Sequence, residues 1–296
     1  MDQYRKNKRI IVMFLLPALL IYVVLAVIPI IQSLWYSLFD WPGIAGVPME
    51  WVGFKNFEKL LKMKDFGRAF KNAGLSILIN LVLQIPLGYL LAYLLSDYCK
   101  GYRFFKTVFF TAVVLPITAT ALLWKFMFGP NQSGILNSIL LGLGLGSGEI
   151  GWLLQSSTAL LCINIANAWC GFGYHMTIGF AAITGVPKEI LESSEIDGAT
   201  SARRFVSIIL PIIWESVKTS TILIVIGSIK LFDIVFVMTE GGPNGLTHMP
   251  ATLLYYEAFK YQNYGIGSAI STLIFAASLV LAMLSMRLMR KEKIEY

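Results

Sequence analysis

The stretch EIDGATSARRFVSIILP, residues 195–211, holds two acids, a glycine and an arginine pair, and it closes on Leu-Pro. Long apolar runs flank it on both sides. Just upstream, Leu191-Glu192-Ser193-Ser194-Glu195-Ile196 can form a short amphipathic helix. Asp197-Gly198 breaks that helix, because glycine permits a sharp reversal. From Ala199 to Leu210 helical spacing resumes, with Phe205, Ile208 and Ile209 on one side, and Pro211 begins a new direction. Short helix, glycine turn, second helix and apolar run together make a stiff lever. The plain alternative is an ordinary charged loop, with Arg203 and Arg204 as ordinary loop cations.

The runs around this stretch set the fold class. The chain has 296 residues, 56% hydrophobic and 14% charged, with a mean hydropathy of +0.69. A soluble domain carries about 25% charged residues. Lipid offers no partners to backbone polar groups, so helices are the expected solution. The reading is all-α: a polytopic membrane helix bundle of six transmembrane helices, with a short helix in the loop 186–211. The spans are expected near 11–36, 74–96, 106–128, 157–181, 213–238 and 266–288, each long enough for about 30 Å of hydrocarbon. The apolar run Ile10–Ile31 exceeds the roughly 7–15 residues of a signal-peptide core, so a retained first span is expected. Lys218, Lys230 and Asp233 interrupt the fifth span, and Pro17, Pro29, Pro86 and Pro116 lie in or near spans.

Basic residues orient the bundle. With the N-terminus inside, the inner segments hold Arg5, Lys6, Lys8, Arg9, Lys100, Arg103, Lys106, Lys188, Arg203, Arg204, Arg287, Arg290, Lys291 and Lys293. The outer segments hold only Lys55, Lys59, Lys62, Lys64, Arg68, Lys71 and Lys260. Both termini and the 186–211 loop are therefore expected to be cytoplasmic. The net charge of +7 is explained by this bias, and nucleic acid is not an expected partner.

Catalytic chemistry has little to stand on. No Gly-Lys dipeptide exists, so a phosphate-cradling loop of the P-loop type is absent. His175 and His248 are too far apart in sequence to suggest a metal cluster or triad. Cys99, Cys162 and Cys170 show no CxxC spacing and read as packing residues. No metal site is expected.

The 192–211 stretch resembles the signature loop of permease subunits in binding-protein-dependent ABC importers, E-A-A-x-x-x-G followed by I-x-L-P. It reads here as Glu192-Ser193-Ser194-Glu195-Ile196-Asp197-Gly198 and Ile208-Ile209-Leu210-Pro211, with serine in place of both small alanines. Further counterparts are Trp51-Val52-Gly53-Phe54-Lys55-Asn56-Phe57, Leu115-Pro116 with Trp124, Gly241-Gly242-Pro243 with Thr247, and Tyr255-Tyr256-Glu257-Ala258-Phe259. Their order over roughly residues 10 to 290 resembles the carbohydrate-uptake branch, the maltose and glycerol-phosphate type.

That resemblance implies a set of roles. Glu192, Ser193, Ser194, Glu195, Asp197, Gly198, Ala199, Leu210 and Pro211 would couple the chain to a cytoplasmic ATPase. Gly241, Gly242, Pro243 and Thr247 would face an extracytoplasmic solute-binding protein. The partners implied are a second, homologous permease subunit, two ATPase subunits, the binding protein, a carbohydrate and membrane lipid. The resemblance further implies that the chain would bind no cofactor itself, that ATP and Mg would belong to the partner ATPase, and that the chain would not be an enzyme. The setting implied is the plasma membrane of a bacterium or archaeon.

A sugar needs hydrogen-bonding side chains and aromatic faces in a wet cavity. Asn164, Asn167, Trp169, Tyr174 and His175 in the fourth span offer these, and Asn164, Asn167 and Tyr174 recur at near-helical spacing. Lys230 and Asp233 in the fifth are expected to be an i, i+3 pair that neutralises itself. Polar groups at membrane depth usually face the bundle interior, and the plain alternative is hydrogen bonding that only holds helices together. The competing class is an ion-gradient-driven secondary carrier, with Lys230 and Asp233 as its relay. Such carriers often show inverted repeats and discontinuous helices, which the sequence does not display.

Overall fold

The computed structural model describes residues 8–97, 100–131, 134–145 and 149–289. Cys99, Arg5, Lys6, Arg290, Lys291, Lys293 and the glycines at 146 and 148 lie outside them. The chain divides into two units: residues up to Met63 with Leu254–Phe275, and Lys64–Leu253 with the residues from Ala276 onward.

In the first unit, α1 (Lys8–Tyr22) passes through a π turn, Val23–Val27, into α2 (Ile28–Tyr36). Pro29 follows that turn; its missing N–H and fixed φ disturb the regular ladder upstream. The most apolar 18-residue stretch of Ile11–Tyr36 has a mean hydropathy of 3.0 and no buried residue. A helix apolar on all sides is written for lipid or another protein. Beyond it, two-residue strands β1 (Phe39–Asp40) and β2 (Glu50–Trp51) pair antiparallel, with Phe39 opposite Trp51. Helix α3 (Lys55–Lys62) is fastened there by the Asn56 amide, which donates to the carbonyls of Ser37 and Phe39, both at 2.8 Å.

The second unit is built around α4 (Lys64–Asp97), 34 residues long. Then come α5 (Tyr102–Val114), α6 (Ile117–Met127), α7 (Ile135–Gly142) and α8 (Ala159–Thr184). They are followed by α9 (Lys188–Ile196), α10 (Ser201–Ile212), α11 (Trp214–Ile229) and α12 (Asp233–Thr239). Helices α13 (Pro250–Tyr255) and α14 (Tyr264–Leu288) cross the boundary between the units. Helix α8 lies along α4 and also touches α5 and α11. One apolar cluster gathers Ala166, Ile234 and Met249; another gathers Tyr89, Met176 and Ile209.

The fold is all-α apart from the two short strands. Among the described residues, three helices are long and apolar enough to cross a membrane, or up to five if each bent pair counts as one span. The expected 106–128 span is two helices, α5 and α6, meeting at 96°. Leu115 is extended there (ψ 139°), the conformation a following proline imposes. The expected 157–181 span coincides with α8, whose 26 residues reach about 39 Å. Asn164, Asn167 and His175 keep its composition less apolar than that of the three.

Two local expectations are corrected. Pro211 does not begin a new direction: it lies in α10, and the 77° change toward α11 comes at Ile213. Lys230 and Asp233 are not a self-neutralising helical pair. The helix ends at Ile229 and restarts at Asp233, and both side chains are exposed with no ion pair between them among the described residues. The break suits each charge separately, since a lysine favours a helix C-terminus and an aspartate an N-terminus.

Candidate functional site

The 186–211 loop folds as a helix, a turn and a helix. After α9, Gly198 adopts φ +71°. The Gly198 amide donates to Glu195 O and the Ala199 amide to Ser194 O, both at 3.0 Å. This is the Schellman arrangement, which closes the last carbonyls of a helix and favours glycine at this position. Thr200 then caps α10, its Oγ1 accepting from the Arg203 amide at 3.4 Å. Ser193 and Ser194 return their hydroxyls to Ile190 O and Leu191 O, so serine serves where a small residue is needed. Ile196 is 87% exposed at the end of α9.

What fixes the loop is Arg204, 5% exposed. Its guanidinium pairs with Glu195 of α9, and its Nε donates to Tyr93 Oη of α4 at 3.3 Å. Tyr93 Oη donates in turn to Ser201 O at 3.2 Å, and the Tyr93 ring stacks on Phe205 with centroids 4.8 Å apart. Arg204 is thus no ordinary loop cation, whereas Arg203 is exposed. A buried guanidinium requires a partner, so the 186–211 loop is clamped to the end of α4.

A second polar assembly sits in the apolar stretch of α4, where Asn80 and Gln84 meet Asn164 and Asn167 of α8 and Ser228 of α11. The Asn80 amide nitrogen donates to Asn164 Oδ1 (2.9 Å) and Ser228 Oγ (3.3 Å). Its oxygen accepts from Gln84 Nε2 (2.9 Å) and Asn167 Nδ2 (3.1 Å). Asn80 therefore uses all its hydrogen-bonding capacity, joining three helices. Gly171 makes room for Gln84: a β-carbon there would stand 2.4 Å from Gln84 Oε1.

Beside this hub is a cavity of about 370 Å³. Gln84, Asn167, Tyr174, His175 and Ser228 set polar groups into a lining that Val113, Leu223 and Ile224 make largely apolar, and the Leu115–Ile117 bend closes one side. His175 is 4% exposed, and among the described residues its Nδ1 has no hydrogen-bond partner. Asn167 and Tyr174 both line this cavity. Asn164 does not line it; it is fully buried behind, held by Asn80 and by its own bond to Leu160 O. Trp169 points elsewhere, edge-on to Trp124 at 6.0 Å, and Lys230 and Asp233 are absent from the lining. Asn80, Gln84 and Tyr93 escaped the sequence reading. The i, i+4 amides at 80 and 84 in an apolar run were the available signal.

The Gly241–Thr247 loop is built rather than loose. Thr247 Oγ1 donates to Gly242 O at 2.6 Å, and the Thr247 amide to Gly241 O at 3.0 Å. From α4, Asn72 donates to Leu246 O (2.8 Å) and His248 O (2.9 Å), and Arg68 to Asn244 O (3.3 Å). Burial holds His248 below the usual imidazole range, with Asp65 opposing and Arg68 reinforcing that shift.

The chain is 32% identical over 292 residues to YurN of Bacillus subtilis, a probable ABC transporter permease protein, covering 98% of this chain and 99% of that one. It is 33% identical to NgcF of Streptomyces coelicolor, a diacetylchitobiose uptake system permease, over 92% of this chain and 79% of NgcF. In fold it matches a chain of a bacterial alginate ABC transporter solved in complex with an alginate-pentasaccharide-bound periplasmic protein. The TM-score is 0.82 at 20% identity, over 97% of this chain and 96% of that one. The family model for binding-protein-dependent transport system inner membrane components matches residues 84–293, a range that holds the cavity, the 186–211 loop and the Gly241–Thr247 loop. The chain belongs to that family.

Proposed function

We propose that this chain is the permease subunit of an ATP-driven importer that passes a carbohydrate across the plasma membrane of a bacterium or archaeon. The observation that carries the reading is that one helix, α4, bears both a wall of the cavity, at Gln84, and the clamp of the coupling loop, at Tyr93. Nine residues apart, these positions are separated by about 14 Å of helix. Motion imposed on the loop therefore reaches the cavity through a rigid rod. The five hydrogen-bonding side chains set in an otherwise apolar lining suit a cargo with hydroxyls and apolar ring faces, and the named activity of NgcF supports a carbohydrate.

A second permease chain completes the translocation path, and two ATPase subunits receive Glu192–Ala199 on the cytoplasmic side. An extracytoplasmic binding protein delivers the cargo to the Gly241–Thr247 loop. ATP hydrolysis belongs to the ATPases, so this chain is not itself an enzyme. The excess of basic residues in the inner segments supports both termini inside. Ion-gradient-driven transport is not favoured: the broken helices at 115 and 230 are of a kind such carriers use, but the family is the importers' and Lys230 and Asp233 form no pair.

Vesicles holding the whole complex should accumulate sugar only with ATP and binding protein, and vanadate should stop it. Accumulation by this chain alone would overturn the reading. Within the complex, Asn167→Leu should raise the KM for cargo about tenfold, the loss of one well-placed hydrogen bond to a buried hydroxyl. An unchanged KM would remove Asn167 from the path.

A further inference from the structure

Next to the Gly241–Thr247 loop lies a separate cavity of about 260 Å³. Phe128, Leu154 and Met238 give it apolar walls, and the Gly242–Pro243 edge of the loop forms one rim. Lys125 stands at its mouth, near the end of α6. Its Nζ donates to Val237 O at 3.0 Å, a carbonyl in the last turn of α12. Lys125 is exposed, and among the described residues it enters no ion pair. Two of its three ammonium protons are therefore free for an outside acceptor.

The volume falls below the roughly 300–1,000 Å³ of small-molecule sites, so it suits a side chain rather than an oligosaccharide. Apolar walls with one cation at the mouth select a side chain with an aliphatic stem and an anionic tip. Affinity in protein interfaces concentrates where a side chain fills such a pocket and water is excluded.

We propose that this cavity is the socket for one acidic side chain of the extracytoplasmic solute-binding protein. The methylenes rest on Met238 and Leu154, and the carboxylate pairs with Lys125. The inference rests on the proposed outward placement of the Gly241–Thr247 loop, and it adds an anchor of defined chemistry to that surface. It also gives Lys125 a role beyond capping α12, since a glutamine could make the same bond to Val237 O.

The test is titration of the assembled importer in lipid nanodiscs with its binding protein at low and at physiological salt. Lys125→Gln should weaken binding about tenfold at low salt and flatten the salt dependence, while the basal ATPase rate stays at the wild-type value. Leu154→Trp, which fills the cavity and keeps the charge, should weaken binding comparably at both salts. Wild-type affinity and salt dependence in both variants would overturn the socket and leave the importer reading standing. A wild-type complex that never engages its binding protein would overturn both.

Discussion

Gly198→Val should abolish ATP-driven uptake, lowering it by about a hundredfold or more, while the chain still inserts and assembles with its partners. The reason lies in the backbone. Gly198 sits at φ +71°, and no atom stands within 4 Å of where a β-carbon would go. Steric crowding is therefore not the cause. A β-branched residue at positive φ is a true outlier, and strain of this kind costs about 2–3 kcal/mol. At 1.4 kcal/mol per factor of ten, the native turn becomes a minor conformer. Relaxation of φ breaks the Gly198–Glu195 and Ala199–Ser194 hydrogen bonds and re-aims α10 against α9. Glu195 then loses Arg204, and α9 is no longer tied to Tyr93. Gly198→Asn is the control, because asparagine tolerates the left-handed region and should keep most of the uptake. Uptake and ATPase rates in reconstituted complexes, normalised to the chain present in the membrane, decide the matter. Normal uptake by the valine variant would remove the lever from the mechanism.

The elements most legible in the sequence were those decided locally. Gly198 announces a helix end because one residue's φ sets the turn, and Ile11–Tyr36 announces a span because 26 residues carry almost no polar group. Misreadings occurred where distant residues decide. Leu115-Pro116 was visible, but the 96° angle between α5 and α6 depends on what they pack against. Lys230 and Asp233 looked like one helical face because an apolar window cannot register a three-residue gap. Arg204 looked like any loop cation, since its burial depends on Tyr93, 111 positions away. Asn164 and Asn167 share a spacing, yet one is locked to Asn80 and the other also reaches the cavity. Periodicity identifies a polar face but not which part of it meets another helix and which meets open space.

That division between holding and lining yields the second large effect, at Asn80. This residue is fully buried and outside the cavity lining, so it does not touch cargo. Asn80→Leu removes four hydrogen bonds at once and leaves Asn164 Oδ1, Ser228, Gln84 and Asn167 to find other partners inside an apolar stretch. Three of the four cross between helices, the Gln84 bond lying within α4; hydrogen bonds between membrane helices contribute ~0.6 kcal/mol on average and up to ~1.7, so the loss is about 2–5 kcal/mol shared among α4, α8 and α11. Because α4 links the coupling loop to the cavity, loosening its grip on α8 and α11 should cost both order and transmission. The expected result is a clear fall in the thermal unfolding temperature of the detergent-solubilised complex. Uptake should fall about a hundredfold through kcat, with the KM for cargo little changed. Asn167→Leu should show the reverse pattern, a raised KM with a small stability loss, since it removes a single hub bond. If Asn80→Leu unfolds at the wild-type temperature, or acts on KM alone, the amide hub does not join these helices and the coupling argument through α4 loses its support.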